Sequence, residues 1–314
     1  MKKRFLSMGI IVMMGVTVPV NDHVYAEEIS AIERDLYDTS EKTEYTYSDY
    51  VVDLINQMGG NTTEENWKGN LSYLKDNYEE IKKILGVRMN LVDYYISEYS
   101  SQVEYENYIS QQKDVDQFKV NASNNYSTQS CTATYTKSRS SVFYATSAVA
   151  YAKKYYNTYN TEYPNWTSYG GDCANFVSQC LVAGGLAMES GNLNSALNWY
   201  SKGNVCDTNK VSSSFRGANA FKNYFLVRAK SSLKINKGQT REYLLNHTNL
   251  GDAISFCRTN SNGSAIAYHT MIVVGKDYSS KTVYLAGHTN ATFNRDFYSA
   301  LDNYDCCYVF SMYK

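Results

Sequence analysis

The segment Gly170-Gly171-Asp172-Cys173-Ala174-Asn175-Phe176-Val177 brings together the residue types that covalent catalysis by a thiol needs. A cysteine in the first turn of a helix faces the positive end of the helix dipole, which favours the thiolate, the nucleophilic form. Paired glycines allow a tight turn before it, and Asp172 is placed to cap the helix by accepting from its N–H groups. The same N–H groups can hold an oxyanion formed during acyl transfer. Phe176, Val177, Cys180 and Leu181 fall on one face and bury the helix. Taken alone, the segment reads equally well as a capped core helix with a structural cysteine.

A thiol nucleophile needs a base within reach. The chain has four histidines. His23 lies among the first residues, and His247 sits in the turn-like stretch Asn246-His247-Thr248-Asn249. His269 precedes the apolar run Met271-Ile272-Val273-Val274, near the start of an expected strand, and its ring can leave the sheet edge toward a helix lying across it. His288 ends the next expected strand. Pairing the two strands through the 275–281 loop sets His269 and His288 roughly opposite one another. The second imidazole would then hold the first in the right tautomer, with Asn290 as the rival orienter. Asp172, Asn175 and Gln179 are read as supporting hydrogen-bonding groups. Trp166, Trp199 and Tyr200 are candidate groove residues, at least one of them a plain core aromatic. There is no CxxC pair and no HExxH, so neither a metal nor a cofactor is expected.

Helices and strands must position these groups. From Tyr47 to about Gln112 the apolar residues recur at helical spacing. Val51, Leu54, Ile55 and Met58 form one segment, and Trp67, Leu71, Leu74, Tyr78, Ile81 and Leu85 a second. Leu91, Tyr94, Tyr95 and Tyr99 belong to a third. Residues 113–138 are rich in Ser, Thr, Asn and Gln and read as a linker. Helices are expected over Phe143–Tyr156, Cys173–Ala183 and Phe215–Phe225. Strands are expected over Asp252–Cys257, Ile266–Val274, Thr282–His288 and Tyr308–Met312. Helices first and an antiparallel sheet last give an α+β domain.

Residues 1–26 read as a secretory signal. Met1-Lys2-Lys3-Arg4 is basic, an apolar run follows, and Val24-Tyr25-Ala26 suits a signal peptidase. The run is short for a membrane span and carries glycine and proline, so no span is expected after cleavage. Residues 27–112 then form a helical N-terminal region and residues 139–314 the catalytic domain. Residues 27–138 hold ten basic and twenty acidic residues, and residues 139–314 hold seventeen basic and ten acidic. That change of sign supports a boundary near residue 138, and the mildly basic part suits an anionic substrate such as the bacterial wall. No nucleic-acid partner is expected. Seven cysteines leave an odd thiol after any pairing. If Cys173 is that thiol, Cys131, Cys180, Cys206, Cys257, Cys306 and Cys307 remain, paired in unknown order or unpaired.

Several separated blocks occur in the order found in the bacterial putative amidase domain, which residues 140–314 resemble. They are Ala148-Val149-Ala150-Tyr151-Ala152, Tyr155-Tyr156-Asn157, Asp172 to Cys180, Ala183-Gly184-Gly185, Asn198-Trp199-Tyr200, Gly251-Asp252, His269 to Val273 and His288-Thr289. That family in turn resembles the papain-like NlpC and CHAP cell-wall cysteine peptidases. The resemblance implies a papain-like fold, a nucleophile helix packed on an antiparallel sheet, with Cys173 as nucleophile, His269 as base and His288 as orienter. Two loops depart from the family pattern, at Cys257–Gly263 and at Phe215, which puts substrate preference in doubt more than chemistry.

The expectation is a secreted or cell-wall-associated cysteine amidase or peptidase acting on peptide or peptidoglycan fragments. The alternative is an inactive secreted binding or adhesion module on the same fold. A metal-dependent amidase using His269 and His288 lacks a third ligand.

Overall fold

The computed structural model describes residues 47–86, 89–123, 142–191, 197–261, 263–288 and 291–312. The expected signal segment, most of the expected linker and Asn290 lie outside them. Among the described residues no helix is long and apolar enough to cross a membrane.

Four helices come first: α1 (Tyr47–Gln57), α2 (Trp67–Asp76), α3 (Tyr78–Leu85) and α4 (Asn90–Ser123). Each buries the stripe that its apolar spacing dictates. Val51, Leu54 and Ile55 do so on α1, Trp67, Leu71 and Leu74 on α2, and Ile81 and Leu85 on α3. Each such aliphatic side chain is worth about 1.5–3 kcal/mol when taken out of water. The run from Trp67 to Leu85 breaks at Asn77, whose peptide N–H and side-chain amide both reach back to the Tyr73 carbonyl. Helix α4 runs well past Gln112, where composition pointed to a linker.

The second part holds α5 (Ala145–Tyr155), α6 (Cys173–Ala183), α7 (Ser213–Arg216), α8 (Ala218–Arg228), α9 (Arg241–Asn246) and α10 (Phe297–Leu301). Six strands, β1 (Ser231–Asn236), β2 (Ala253–Thr259), β3 (Ala265–Asp277), β4 (Thr282–Gly287), β5 (Thr292–Asp296) and β6 (Cys306–Ser311), make one sheet. Its order is β1-β6-β2-β3-β4-β5, and every neighbouring pair is antiparallel. The fold is α+β.

Alternate strand residues serve opposite faces, as the two-residue period requires. Ala253, Cys257, Ala267, Ile272, Ala286, Cys306 and Phe310 join the core that holds α5, α6 and α8. Ile254, Phe256, Met271, Val273, Leu285, Cys307 and Val309 join a second core under α9 and α10. The first core also contains Leu54, Leu71, Ile81, Tyr95 and Tyr99, so the N-terminal helices and the sheet domain share one apolar interior.

A buried polar seam accompanies that shared core. Tyr94 Oη donates to the Arg216 carbonyl at 3.0 Å, and Arg216 Nη2 donates to Ser97 Oγ at 2.6 Å. The Arg216 guanidinium lies over the rings of Tyr94 and Trp166. Asn219 and Asn223 both donate to Gln102 Oε1. Glu98 Oε1 accepts from the Ala220 N–H at 2.7 Å, capping α8 from another helix. A Cβ on Gly217 would run into Glu98 Oε2, so a larger residue at this turn between α7 and α8 would displace the capping carboxylate.

Burial pushes the Glu98 carboxyl up to about 7, against the Ala220 hydrogen bond and the Arg216 charge. Its folded value exceeds the value in the unfolded chain, so the stability it contributes is full below about pH 4.5 and is lost as pH rises through 7. Such a shift corresponds to roughly 3 kcal/mol. Glu98→Gln keeps an oxygen for the cap and cannot ionise. Urea unfolding at pH 5 and pH 8 should therefore show the wild type losing about 3 kcal/mol relative to the variant. A parallel pH response in both proteins would contradict this.

Candidate active site

The chain reaches α6 through Gly170 and Gly171, with φ of +100° and +129°, a region that side chains with a Cβ avoid. Cys173 is the first helical residue. Asp172 occupies the cap position, but its side chain does not cap. Its Oδ1 accepts from the Trp166 N–H at 2.8 Å and from Asn175 Nδ2 at 2.9 Å, and its Oδ2 lies 2.6 Å from His288 Nδ1. Asn175 Nδ2 also donates to the Pro164 carbonyl. The capping expectation fails because the 164–172 loop folds back over the carboxylate and claims it. The first-turn amides of α6 are left without a side-chain cap.

His288 is held at both ring nitrogens. Nε2 lies 2.7 Å from the Tyr155 carbonyl, and the ring stacks on Phe176 at 4.2 Å. A carbonyl only accepts, so Nε2 carries a proton. Nδ1 faces a carboxylate that already takes two N–H bonds, so one further proton lies between the two groups. Such a ring has no lone pair for a substrate proton.

The register explains why His288 is here. Ile272 pairs with Ala286, a bulge follows Val273, and Gly275 pairs with Tyr284. Continuing the ladder sets Met271 by Gly287 and Thr270 by His288, and a Cβ on Gly287 would indeed touch Met271. His269 pairs instead with Phe256 on β2, their rings 6.3 Å apart. Phe256 belongs to the core under α9 and α10, whereas Phe176 and Asp172 belong to the α6 side. The sequence pairing of His269 with His288 is thus not what the strands bring together. One bulged residue moves a side chain to the other face.

Cys173 is 7% exposed and His269 8%. The N–H groups of Thr270 and Ala174 face the Cys173 sulfur. Even so, burial pushes the thiol up to about 12, and the negative charges of Asp172 and Glu98 push the same way. In the resting site dehydration thus outweighs the helix end. Burial, then the Arg295 charge, pulls His269 down to about 4, so at neutral pH its imidazole is neutral. Among the described residues no hydrogen bond joins Cys173 to His269; the link runs through the peptide of Thr270, the next residue in the chain.

Gln179 lies a turn further along α6 and accepts from Tyr151 Oη at 2.7 Å. Trp199 is fully buried, donates to Ser178 Oγ and packs on Phe215, Tyr224 and Phe225, so it is core rather than groove. Sequence reasoning missed Tyr94 and Glu98, both electrostatic neighbours of Cys173. The available signal was a glutamate on the apolar stripe of Leu91, Tyr94 and Tyr95.

The model of the family described as Putative amidase domain matches residues 143–311. The chain belongs to that family. It is similar to the uncharacterized protein YhbB of Bacillus subtilis, with 35% identity over 130 residues. That match covers 41% of this chain and 36% of YhbB, so the chain spans little more than a third of its relative. No solved structure matches it.

Removing one partner of a buried hydrogen-bonded pair leaves the other group unsatisfied, at a cost of about 1–3 kcal/mol and more where a charge is involved. Asp172→Asn should lower unfolding stability by about 3 kcal/mol, with His288→Gln costing about the same and the double variant much less than their sum. Denaturant titration of the four proteins measures this. Additive losses would show that the two residues act independently.

Proposed function

We propose that the protein is an exported cysteine-dependent amide hydrolase acting on peptide, with the stem peptide of the bacterial wall as its substrate. Membership of the amidase family supports hydrolysis of amides. The observation that carries the cysteine mechanism is the convergence of two peptide N–H groups on the sulfur of a helix-start cysteine, one residue from a neutral imidazole. The basic excess of residues 139–314 supports an anionic polymer as substrate. The papain-like arrangement belongs to the same reading.

In this mechanism Cys173 attacks the amide carbonyl while His269 takes the thiol proton. The tetrahedral oxyanion forms beside the uncapped amides of α6. The imidazolium returns its proton to the leaving amine, giving a thioester, and water then releases the acid. His269 must reach the sulfur for this; its ring packs by Phe256 on the other face of β3, so a change in the backbone of β3 at His269 is the required motion. His288 and Asp172 fix the loop and the strand end around Cys173.

A second reading, a binding module that has lost catalysis, draws on the buried thiol and on the lack, among the described residues, of a hydrogen bond between Cys173 and His269. The two readings separate on purified wall fragments analysed by mass spectrometry. Catalysis predicts new amine and carboxyl ends, lost by about 1,000-fold or more in Cys173→Ala and strongly reduced in His269→Ala. It also predicts that kcat/KM holds at neutral pH and falls on acidification toward about 4, where His269 gains its proton and can no longer accept one. Binding of fragments with no cleavage at any pH would favour the module.

A further inference from the structure

Two cysteines lie side by side where the catalytic reading makes no use of them. Strands β2 and β6 are antiparallel neighbours, and their register sets Cys257 directly opposite Cys306. Both side chains belong to the core on the α8 side, whereas Cys307 turns to the other core. Directly opposed residues on antiparallel strands have Cα atoms about 4.5–5.5 Å apart. Disulfides span Cα distances of about 4.4–6.8 Å. The Cys257 thiol donates to the Ser255 carbonyl of its own strand at 3.5 Å, which leaves its sulfur beside that of Cys306.

The surroundings favour a thiolate at one of the two. The neighbouring Cys257 thiol lowers Cys306, and the charges of Lys234 and Lys222 act in the same direction, against burial and the Asp305 charge. Lys222 is buried on α8, where its Nζ donates to the Ala265 carbonyl. Among the described residues no group of three or more His, Cys, Asp and Glu is placed to hold a metal, so the dithiol has no metal-site explanation there. All six described cysteines are reduced in the structure.

We propose that Cys257 and Cys306 are a dithiol–disulfide pair that closes under oxidising conditions into a staple between β2 and β6. The oxidant is a low-molecular-weight disulfide, RSSR. The Cys306 thiolate attacks one of its sulfurs, forming a mixed disulfide and expelling RS⁻. The Cys257 sulfur, losing its proton, then attacks Cys306 Sγ, forming the Cys257–Cys306 bond and expelling a second RS⁻. The two thiol protons end on the two leaving thiolates, and two electrons pass from the protein to the reagent. Both sulfurs are buried once β6 has docked, so exchange takes place as the chain folds. The closed loop contains β3, β4, β5, His269 and His288, so the staple would fix the strands that carry both histidines. The inference does not rest on the catalytic reading.

The test folds the full-length protein from denaturant with either oxidised or reduced glutathione. Free thiols are then alkylated, and non-reduced peptides are mapped by mass. The expected result is a linked peptide joining Cys257 to Cys306 in the oxidised sample alone, with Tm higher than in the reduced sample by on the order of 10 °C. Cys257→Ala/Cys306→Ala should fold with a Tm indifferent to glutathione. If that variant fails to fold, the wild-type map decides alone. Complete alkylation of both cysteines after oxidising folding would overturn the proposal, and so would a link from either one to Cys131, Cys307 or another partner.

Discussion

The contact between Asp172 and His288 organises this site. It spans the chain from the loop before α6 to the end of β4, and it is almost wholly removed from water. Burying two such polar groups is costly, and an apolar pair of similar shape would often be as stable. What the pair adds is geometry. Its carboxylate also takes the Trp166 and Asn175 hydrogen bonds, and its imidazole also takes the Tyr155 carbonyl. Four segments, from α5, the 164–172 loop, α6 and β4, are thereby fixed relative to one another by one pair of side chains. Cys173 is the next residue in the chain, so its position is a direct consequence.

A second constraint comes from the N-terminal helices. The family match begins at residue 143, yet the cap of α8 comes from Glu98 and the guanidinium of Arg216 is enclosed by Tyr94 and Ser97. Ser178 of α6 in turn donates to the Phe215 carbonyl, one residue before Arg216. The line from Glu98 through the α7–α8 elbow to α6 is therefore continuous hydrogen bonding and packing. A segment whose carboxylate and amides complete the partner's hydrogen bonds is part of the folding unit, whatever boundary composition suggests. Partly satisfied polar networks are costly to bury, which binds the two parts together.

What the sequence revealed depended on how local the cause was. Helix α6 spans the expected residues because its start, its apolar face and its terminating glycines are all encoded within it. The four central strands were legible from their β-branched and aromatic runs. Strands β1 and β5 were not, because both lie at sheet edges and carry mostly exposed or half-buried polar residues. The partnering of His288 was beyond reach for a different reason. It turns on a bulge at Val274 and on a loop that folds back over Asp172, and neither leaves a mark on periodicity. Trp199 looked like a groove residue because tryptophan suits either role, and only the ring of Phe215, Tyr224 and Phe225 around it decides the matter.

Burial gives Cys173 and His269 opposite shifts for one reason: each loses water that would stabilise its charged form. A resting thiolate with an imidazolium is then the dearer state, and the resting pair is neutral. On the proposed reading, charge first develops during attack, when the proton crosses to His269 and the oxyanion forms. Groups that stabilise charge there act on the transition state more than on the resting enzyme, which is the condition for a gain in rate. The diversion of Asp172 to His288 fits this requirement. A carboxylate capping α6 would occupy the helix amides and set a negative charge where the oxyanion must form. Held instead by Trp166, Asn175 and His288, it leaves those amides without a side-chain cap.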